Sequence, residues 1–104
     1  MYNEGTIIAL SSPPGSGAIS IIRLSGKDSI SKTDKFFESK SGKKLKDCNG
    51  YSISYGNFLV NKEVLDEVVI SLYKGPHSYT GEDVVEISCH GSTFIQQKLL
   101  QLFI

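Results

Sequence analysis

The sequence predicts an α/β fold of the α+β kind, with a mixed sheet of about five strands flanked by helices. Its 104 residues suit one small domain with a modest core. Short apolar, β-branched runs separated by Gly, Pro and Asn are typical of strands, and two segments carry helical signals. The predicted order is β-β-α-β-β-β-α. A mixed sheet covered by helices is favoured over a sandwich, because three stretches have the pattern of partly buried segments.

The first three elements are predicted to be two strands and a helix. Residues 6–10 form an apolar run, residues 11–17 are dense in turn formers, and residues 18–24 are again apolar and β-branched. Ser25, followed three positions later by Asp28, resembles a capping box and predicts the start of a helix. We expect this helix to run to about residue 37 and to bury Ile30, Phe37 and Phe36.

The middle of the chain is predicted to form a loop and a hairpin. Residues 38–50 are polar and rich in lysine, which is typical of a connection. Residues 51–60 and 64–73 have strand character. Asn61 and Lys62 lie between them, and asparagine tolerates the left-handed conformation that such tight turns require.

The last part of the chain is predicted to be loop, strand and helix. Residues 74–81 contain Gly-Pro and form the loop, and residues 84–89 form the strand. Gly91 and Ser92 open a helix. One face of that helix carries Ile95, Leu99 and Leu102.

Charge and cysteine content exclude several classes of function. Basic and acidic residues both total 11, whereas a domain that binds nucleic acid through phosphates normally carries a basic excess. We interpret the lysine-rich run within residues 40–46 as a solvated loop. Cys48 and Cys89 show no metal-ligand spacing. There is neither a signal peptide pattern nor an apolar run of about 20 residues, so we expect reduced thiols in the cytoplasm.

The glycine-rich stretch at residues 13–17, Pro-Pro-Gly-Ser-Gly, invites comparison with a phosphate-binding loop. Such a loop needs Gly-Lys-Ser/Thr at its end and a helix behind it. Here a strand-like run follows, and Gly-Lys-Ser/Thr is absent from the chain. The GTPase interpretation therefore fails for this segment. Two alternatives stay open: a plain turn, or glycines that let a ligand approach the backbone.

Arg23 and Glu86 are the polar residues whose position within strands requires an explanation. Strand alternation places Arg23 on one face with Ile19 and Ile21, and a guanidinium there needs a partner. It could form a structural ion pair or bind an anionic or carbonyl-bearing ligand. Glu86 lies opposite the Val85, Ile87 and Cys89 face. It is either solvated, or part of a site that binds two adjacent N–H donors.

The neighbours of Glu86 carry weaker signals. His90 is a lone histidine at a strand-to-helix junction and has no adjacent nucleophile motif, so a structural role is favoured over a catalytic one. Cys89 falls on the core face, which favours an inert thiol. Glu82 and Asp83 precede the strand and are interpreted as loop charges.

Three blocks of sequence resemble one known family. Pro-Pro-Gly-Ser-Gly leads into Ile-Ile-Arg-Leu-Ser-Gly within residues 6–26, and Leu-Asp-Glu-Val at residues 65–68 precedes Lys-Gly-Pro-His-Ser-Tyr-Thr-Gly-Glu-Asp-Val-Val-Glu at residues 74–86. His90 and Gly91 form the third block, although this chain has Ser92 where the family usually has glycine. In this order the blocks resemble the N-terminal domain of the MnmE (TrmE) family of tRNA-modifying GTPases.

The resemblance implies that residues 1–104 are a folate-binding and dimerisation domain, with a fold similar to the folate-binding domain of glycine-cleavage T-proteins. In this family a helical domain and a GTP-binding domain follow, and the latter uses GTP, Mg and K. Residues 99–104 are apolar-periodic without a stop signal, so we expect a fragment of a longer protein. The fragment alone is expected not to be an enzyme, whereas its parent is a GTP hydrolase.

The resemblance also implies the roles of the two candidate residues. Glu86 would accept the guanidine-like edge of a reduced pterin, and Arg23 would hold a carbonyl or carboxylate of 5-formyl-tetrahydrofolate. Neither metal ligands nor acid–base catalysts are expected, and the family draws a further lysine from the next domain. The parent would act with MnmG, which supplies FAD and NADH, to modify C5 of the wobble uridine of tRNA. The alternatives are a purely structural dimerisation module with a vestigial folate site, or a free-standing aminomethyltransferase-like domain.

Overall fold

A computed structural model describes residues 6–11, 17–75 and 81–104. Its strands are β1 (Thr6–Leu10), β2 (Ile19–Gly26), β3 (Phe37–Ser39), β4 (Tyr51–Val60), β5 (Glu63–Tyr73) and β6 (Val84–His90). The helices are α1 (Ser29–Asp34) and α2 (Thr93–Leu102), with a 3-10 turn at Leu45–Asp47. Most of the glycine-rich stretch at 13–17 and most of the loop predicted at 74–81 lie outside the described residues.

The described strands form a single antiparallel sheet in the order β1-β2-β6-β5-β4-β3. The predicted mixed sheet is therefore wrong. After β2 the chain crosses to the far edge of the sheet, and it then returns through β3, β4 and β5 with a reversal at each step. Strand β6 closes the gap beside β2 and runs against both of its neighbours, so no parallel pair arises.

The five predicted strands are present, and β3 is a sixth that the sequence analysis missed. The predicted helix also ends early, because α1 stops at Asp34 and Phe37 pairs with Phe58 as part of β3. The capping box is wrong as well: Ser25 pairs with Val84 inside β2, and Asp28 precedes α1 without a side-chain cap. Pairing along the sheet edge outweighs the weak helical propensity of this segment.

The hairpin prediction is confirmed. Asn61 and Lys62 have φ angles of 52° and 68°, which is the type I′ geometry that matches the twist of the flanking strands. In the middle of β4, Gly56 packs against the backbone of β3. A side chain at that position would collide with the backbone oxygen of Glu38, so glycine permits the sixth strand to approach.

Both helices pack on one face of the sheet, where the core lies. Alternate residues of β2 and β6 are buried there, and the opposite positions are more exposed. Helix α2 begins at the predicted place, with the Ser92 hydroxyl accepting a hydrogen bond from the Ile95 N–H (3.1 Å) and Leu99 fully buried. None of the helices in the described part of the chain is long and apolar enough to cross a membrane.

The other face of the sheet carries no helix, and we call it the open face. It includes Arg23 and Glu86. It also exposes large apolar side chains on strands β1, β2 and β4 to between 48% and 74% of their maximum. These side chains are Ile7, Ile19, Tyr51, Ile53 and Tyr55.

Candidate functional site

Arg23 and Glu86 lie directly opposite each other on neighbouring strands, because the register of β2 and β6 pairs them. The guanidinium Nε and Nη2 of Arg23 both donate to Oε2 of Glu86, at 2.9 and 2.5 Å. The structure thus brings the two predicted site residues together. It also gives Arg23 the partner that the sequence analysis required.

The pair has small neighbours on the open face. Ala9 of β1 pairs with Arg23, and Ser71 of β5 pairs with Glu86, so the two flanking side chains in this row are short. Ile53 of β4 continues the row beyond Ser71. Short side chains therefore flank the charged pair in this row, and both members of the pair are accessible from the open face.

The hydrogen bonds within the pair leave groups for a ligand. Among the described residues, Oε1 of Glu86 accepts no hydrogen bond, and Nη1 of Arg23 donates none. The side chains are 20% and 47% exposed. Exposed ion pairs contribute only about 0–1 kcal/mol to stability, so a structural role alone gives a weak account of this arrangement. One oxygen and one nitrogen remain available for recognition.

His90 is fixed by a carboxylate that the sequence analysis did not single out. Asp66 accepts a hydrogen bond from the His90 backbone N–H at 2.8 Å, and its other oxygen lies 2.6 Å from the imidazole Nδ1. The Asp66 side chain is only 9% exposed, whereas that of His90 is 72% exposed. Alternation along β5 places Asp66 on the core side of the strand with Val68. A carboxylate on the core side needs a hydrogen-bonding partner, and this requirement could have identified Asp66 from the sequence.

The two glycines beside His90 join the start of β2 to the end of β6. The Gly17 N–H donates to the Gly91 carbonyl at 2.8 Å. A side chain at Gly91 would collide with the backbone of Gly17. Glycine at 91 therefore holds one end of the proline- and glycine-rich stretch against the sheet.

Cys89 is buried on the core face, as the sequence predicted. Burial raises the pKa of its thiol to about 11, and the nearby charge of Asp66 acts in the same direction. A thiol with this pKa is protonated at neutral pH and is a poor nucleophile. Both Cys89 and Cys48 are free, and the described residues contain no cluster suited to a metal ion.

A second polar cluster on the open face was also missed. The Tyr55 hydroxyl donates to Glu67 at 2.7 Å, and the Lys40 ammonium lies 3.8 Å from the same carboxylate. The hydrogen bond to Glu67 raises the pKa of Tyr55 above its ordinary value. Tyr55 and Glu67 lie on β4 and β5, and Lys40 follows β3, so only the sheet register brings the three residues together.

Comparison with known proteins identifies the family. The family described as "GTP-binding protein TrmE N-terminus" matches residues 6–104. A protein of Flavobacterium johnsoniae named "tRNA modification GTPase MnmE" is 46% identical over 104 residues, which is 100% of this chain and 22% of that protein. Its namesake from Parabacteroides distasonis is 48% identical over 101 residues, covering 95% of this chain and 22% of that protein.

A third relative is less similar in sequence. The protein of the same name from Clostridioides difficile is 41% identical over 104 residues, or 100% of this chain and 23% of that protein. This chain thus spans a little over a fifth of the length of these relatives. The resemblance noted in the sequence is confirmed, and the chain belongs to the family of TrmE (MnmE) N-terminal domains.

Proposed function

We propose that this chain is the folate-binding and self-associating domain of a tRNA-modifying GTPase, and that it holds 5-formyl-tetrahydrofolate at Arg23 and Glu86. The observation that carries the proposal is the position of the pair. An arginine and a glutamate lie side by side on a sheet face without helices, and each has hydrogen-bonding capacity left. Its relatives are named tRNA modification GTPases, which agrees with such a role.

The chemistry of the pair fits a reduced pterin. The pterin presents a ring N–H beside an exocyclic amine, and a carboxylate such as Glu86 accepts two such donors together once Arg23 has moved away from Oε2. Arg23 donates to a carbonyl or carboxylate of the same ligand. The sheet would then serve as a binding platform, as the likeness to glycine-cleavage T-proteins suggests.

The wider activity belongs to segments outside this chain. We propose that GTP, Mg and K bind there, and that MnmG contributes FAD and NADH. The one-carbon unit would be delivered to C5 of the wobble uridine in tRNA, in the cytoplasm. This chain contributes the cofactor site and contacts with a second copy of itself.

Titration with 5-formyl-tetrahydrofolate tests the folate site. Amide chemical shifts, followed up to millimolar ligand, detect weak as well as tight binding. We expect shifts along β2 and β6 around Arg23, and we expect Arg23→Ala to remove them because the donors to the ligand are lost. Lys98→Ala, an exposed change on α2, is the control and should bind normally. Shifts that persist in Arg23→Ala would refute the site.

Sedimentation tests self-association through the open face. The exposed apolar side chains there would leave a large patch in water, and a second copy related by a two-fold axis would cover it. The face also carries both charge signs, so two copies can complement each other. Ile53 is 74% exposed on this face, and Ile53→Lys is expected to shift the equilibrium toward monomer by at least about tenfold.

The matched control is Ile104→Lys, since Ile104 is also exposed (66%) but lies beyond α2. It should leave the equilibrium unchanged. A wild-type chain that stays monomeric at high concentration would contradict the dimer. Equal effects of the two lysine variants would show that the open face is not the interface. If the dimer is confirmed and the full-length protein binds no folate, the purely structural alternative is correct.

A further inference from the structure

The zero net charge of the chain conceals an uneven distribution of charge. Two adjoining clefts of about 550 and 530 Å³ share Asp34 and Lys44 in their walls. Among the described residues, seven lysines line them: Lys27, Lys35, Lys40, Lys43, Lys44, Lys46 and Lys74. The lining carboxylates are Asp34, Glu38 and Asp83. Since the whole chain has 11 residues of each sign, four basic and eight acidic residues lie elsewhere.

Two of the three carboxylates in these clefts are already engaged by backbone groups. The oxygens of Asp34 accept hydrogen bonds from the N–H groups of Leu45 and Lys46, at 2.9 and 3.2 Å. Asp83 accepts one from the Gly75 N–H at 2.9 Å. The bonds to Asp34 fix the loop that bears Lys44 and Lys46 against α1, and the bond to Asp83 joins Gly75, which follows β5, to the residue before β6. They orient the carboxylates toward the backbone instead of toward the ammonium groups.

Most of the lysines lack a counter-charge. Lys40 pairs with Glu67, and the other six form no ion pair among the described residues. Lys74 donates to the carbonyls of Lys46 and Cys48, at 3.0 and 2.6 Å, so its charge is held at the cleft wall. Lys27, Lys43 and Lys46 are exposed. The clefts therefore present a positive surface beside α1, although Lys40, which follows β3, reaches Glu67 on the open face.

We infer that this surface, the two lysine-lined clefts, binds the phosphate backbone of RNA. Lysine is a compact point charge suited to single phosphates, whereas bidentate reading of bases calls for arginine. The clefts adjoin, which suits a partner with phosphates repeated along a strand. The apolar residues beneath them, such as Ile30, Phe37 and Leu45, are buried, so a lipid surface would find no exposed apolar anchor there.

The choice of RNA rests on the proposed function in tRNA modification, but the surface is distinct from the folate site. Arg23 and Glu86 lie on the open face and line neither cleft, whereas the clefts are lined by α1, β3, the loop before β4, and Lys74 and Asp83. The neutral total charge argued against nucleic-acid binding in the sequence. The uneven distribution removes that objection, because phosphate binding depends on local positive charge.

Fluorescence anisotropy of labelled tRNA with the 104-residue chain, measured without folate across a salt series, tests the inference. We expect weak, salt-dependent binding, with Kd on the order of 10⁻⁴–10⁻⁶ M. The double variant Lys43→Glu/Lys46→Glu should weaken binding at least tenfold, and the slope of log K against log salt should fall by about one for each lost phosphate contact.

The matched control is Lys62→Glu/Lys98→Glu, which changes the net charge equally at exposed positions outside both clefts. Apart from the long-range effect of net charge, which salt screens, the control should change the Kd for tRNA by less than about twofold. Arg23→Ala should bind RNA normally, which separates this result from the folate titration. Equal losses in the two double variants, or no binding at 50 mM salt, would overturn the inference. Preferential binding to anionic vesicles over tRNA would also overturn it.

Discussion

Phe58→Ala is expected to lower the free energy of unfolding by about 3–5 kcal/mol, because the change removes a large buried side chain and leaves a cavity. Phe58 is fully buried on β4. Its ring stacks on Phe36 with centroids 5.6 Å apart and meets Phe103 at 6.0 Å. A domain of this size has a total stability of about 5–15 kcal/mol, so the variant should approach the threshold of folding. Urea denaturation followed by circular dichroism measures the change.

Phe94→Ala is the matched control for this prediction. It removes the same side chain from α2, where the ring is 63% exposed and lies 5.8 Å from the Lys98 ammonium. We expect a loss below about 1 kcal/mol. If the two alanine variants unfolded at similar urea concentrations, the cluster of Phe36, Phe58 and Phe103 would not be the centre of the core.

Glu86→Gln is expected to weaken binding of 5-formyl-tetrahydrofolate by about 10- to 150-fold. The substitution keeps the shape of the side chain but replaces a charged acceptor with an amide, whose N–H₂ would face the N–H donors of the pterin. A hydrogen bond to a charged group contributes about 1.5–3 kcal/mol, which corresponds to this range. Calorimetry on the wild type and the variant gives the ratio of the Kd values.

Two comparisons separate this effect from a loss of folding. Glu86→Gln weakens an ion pair that is partly exposed, so its urea midpoint should change little. Glu63→Gln, at the exposed start of β5, removes the same charge far from the pair and should bind folate as the wild type does. A Kd for Glu86→Gln within about twofold of the wild type would exclude direct contact between the carboxylate and the ligand.

The fold was predictable wherever a local signal was strong. Turn formers and alternation located five strands, and the hairpin at Asn61 and Lys62 followed from tight-turn chemistry. Strand β3 is three residues long and polar at Glu38 and Ser39, so no pattern marks it. The antiparallel arrangement was not predictable either. It depends on β6 entering between β2 and β5, which is a long-range event without a local sequence signal.

The candidate site was predictable by residue but not by geometry. Alternation showed that Arg23 and Glu86 each interrupt an apolar strand on one face, and the resemblance supplied a ligand. Their pairing depends on the register of strands separated by 63 positions, which alternation cannot provide. Alternation along β5 could have marked Asp66 as a polar residue on the core side, but its pairing with His90, 24 residues away on another strand, depends on the sheet register.

The insertion of β6 between β2 and β5 has a consequence for how the protein is made. Loop closure over some 60 residues precedes any contact between β2 and β6, and contacts of such long range slow folding. At a synthesis rate of about 5–20 residues per second, several seconds separate the emergence of the two strands from the ribosome. During that interval β2 has an unpaired edge. The ion pair between Arg23 and Glu86 therefore forms only after β6 has been synthesised. The proposed ligand site is completed late in the synthesis and folding of the domain.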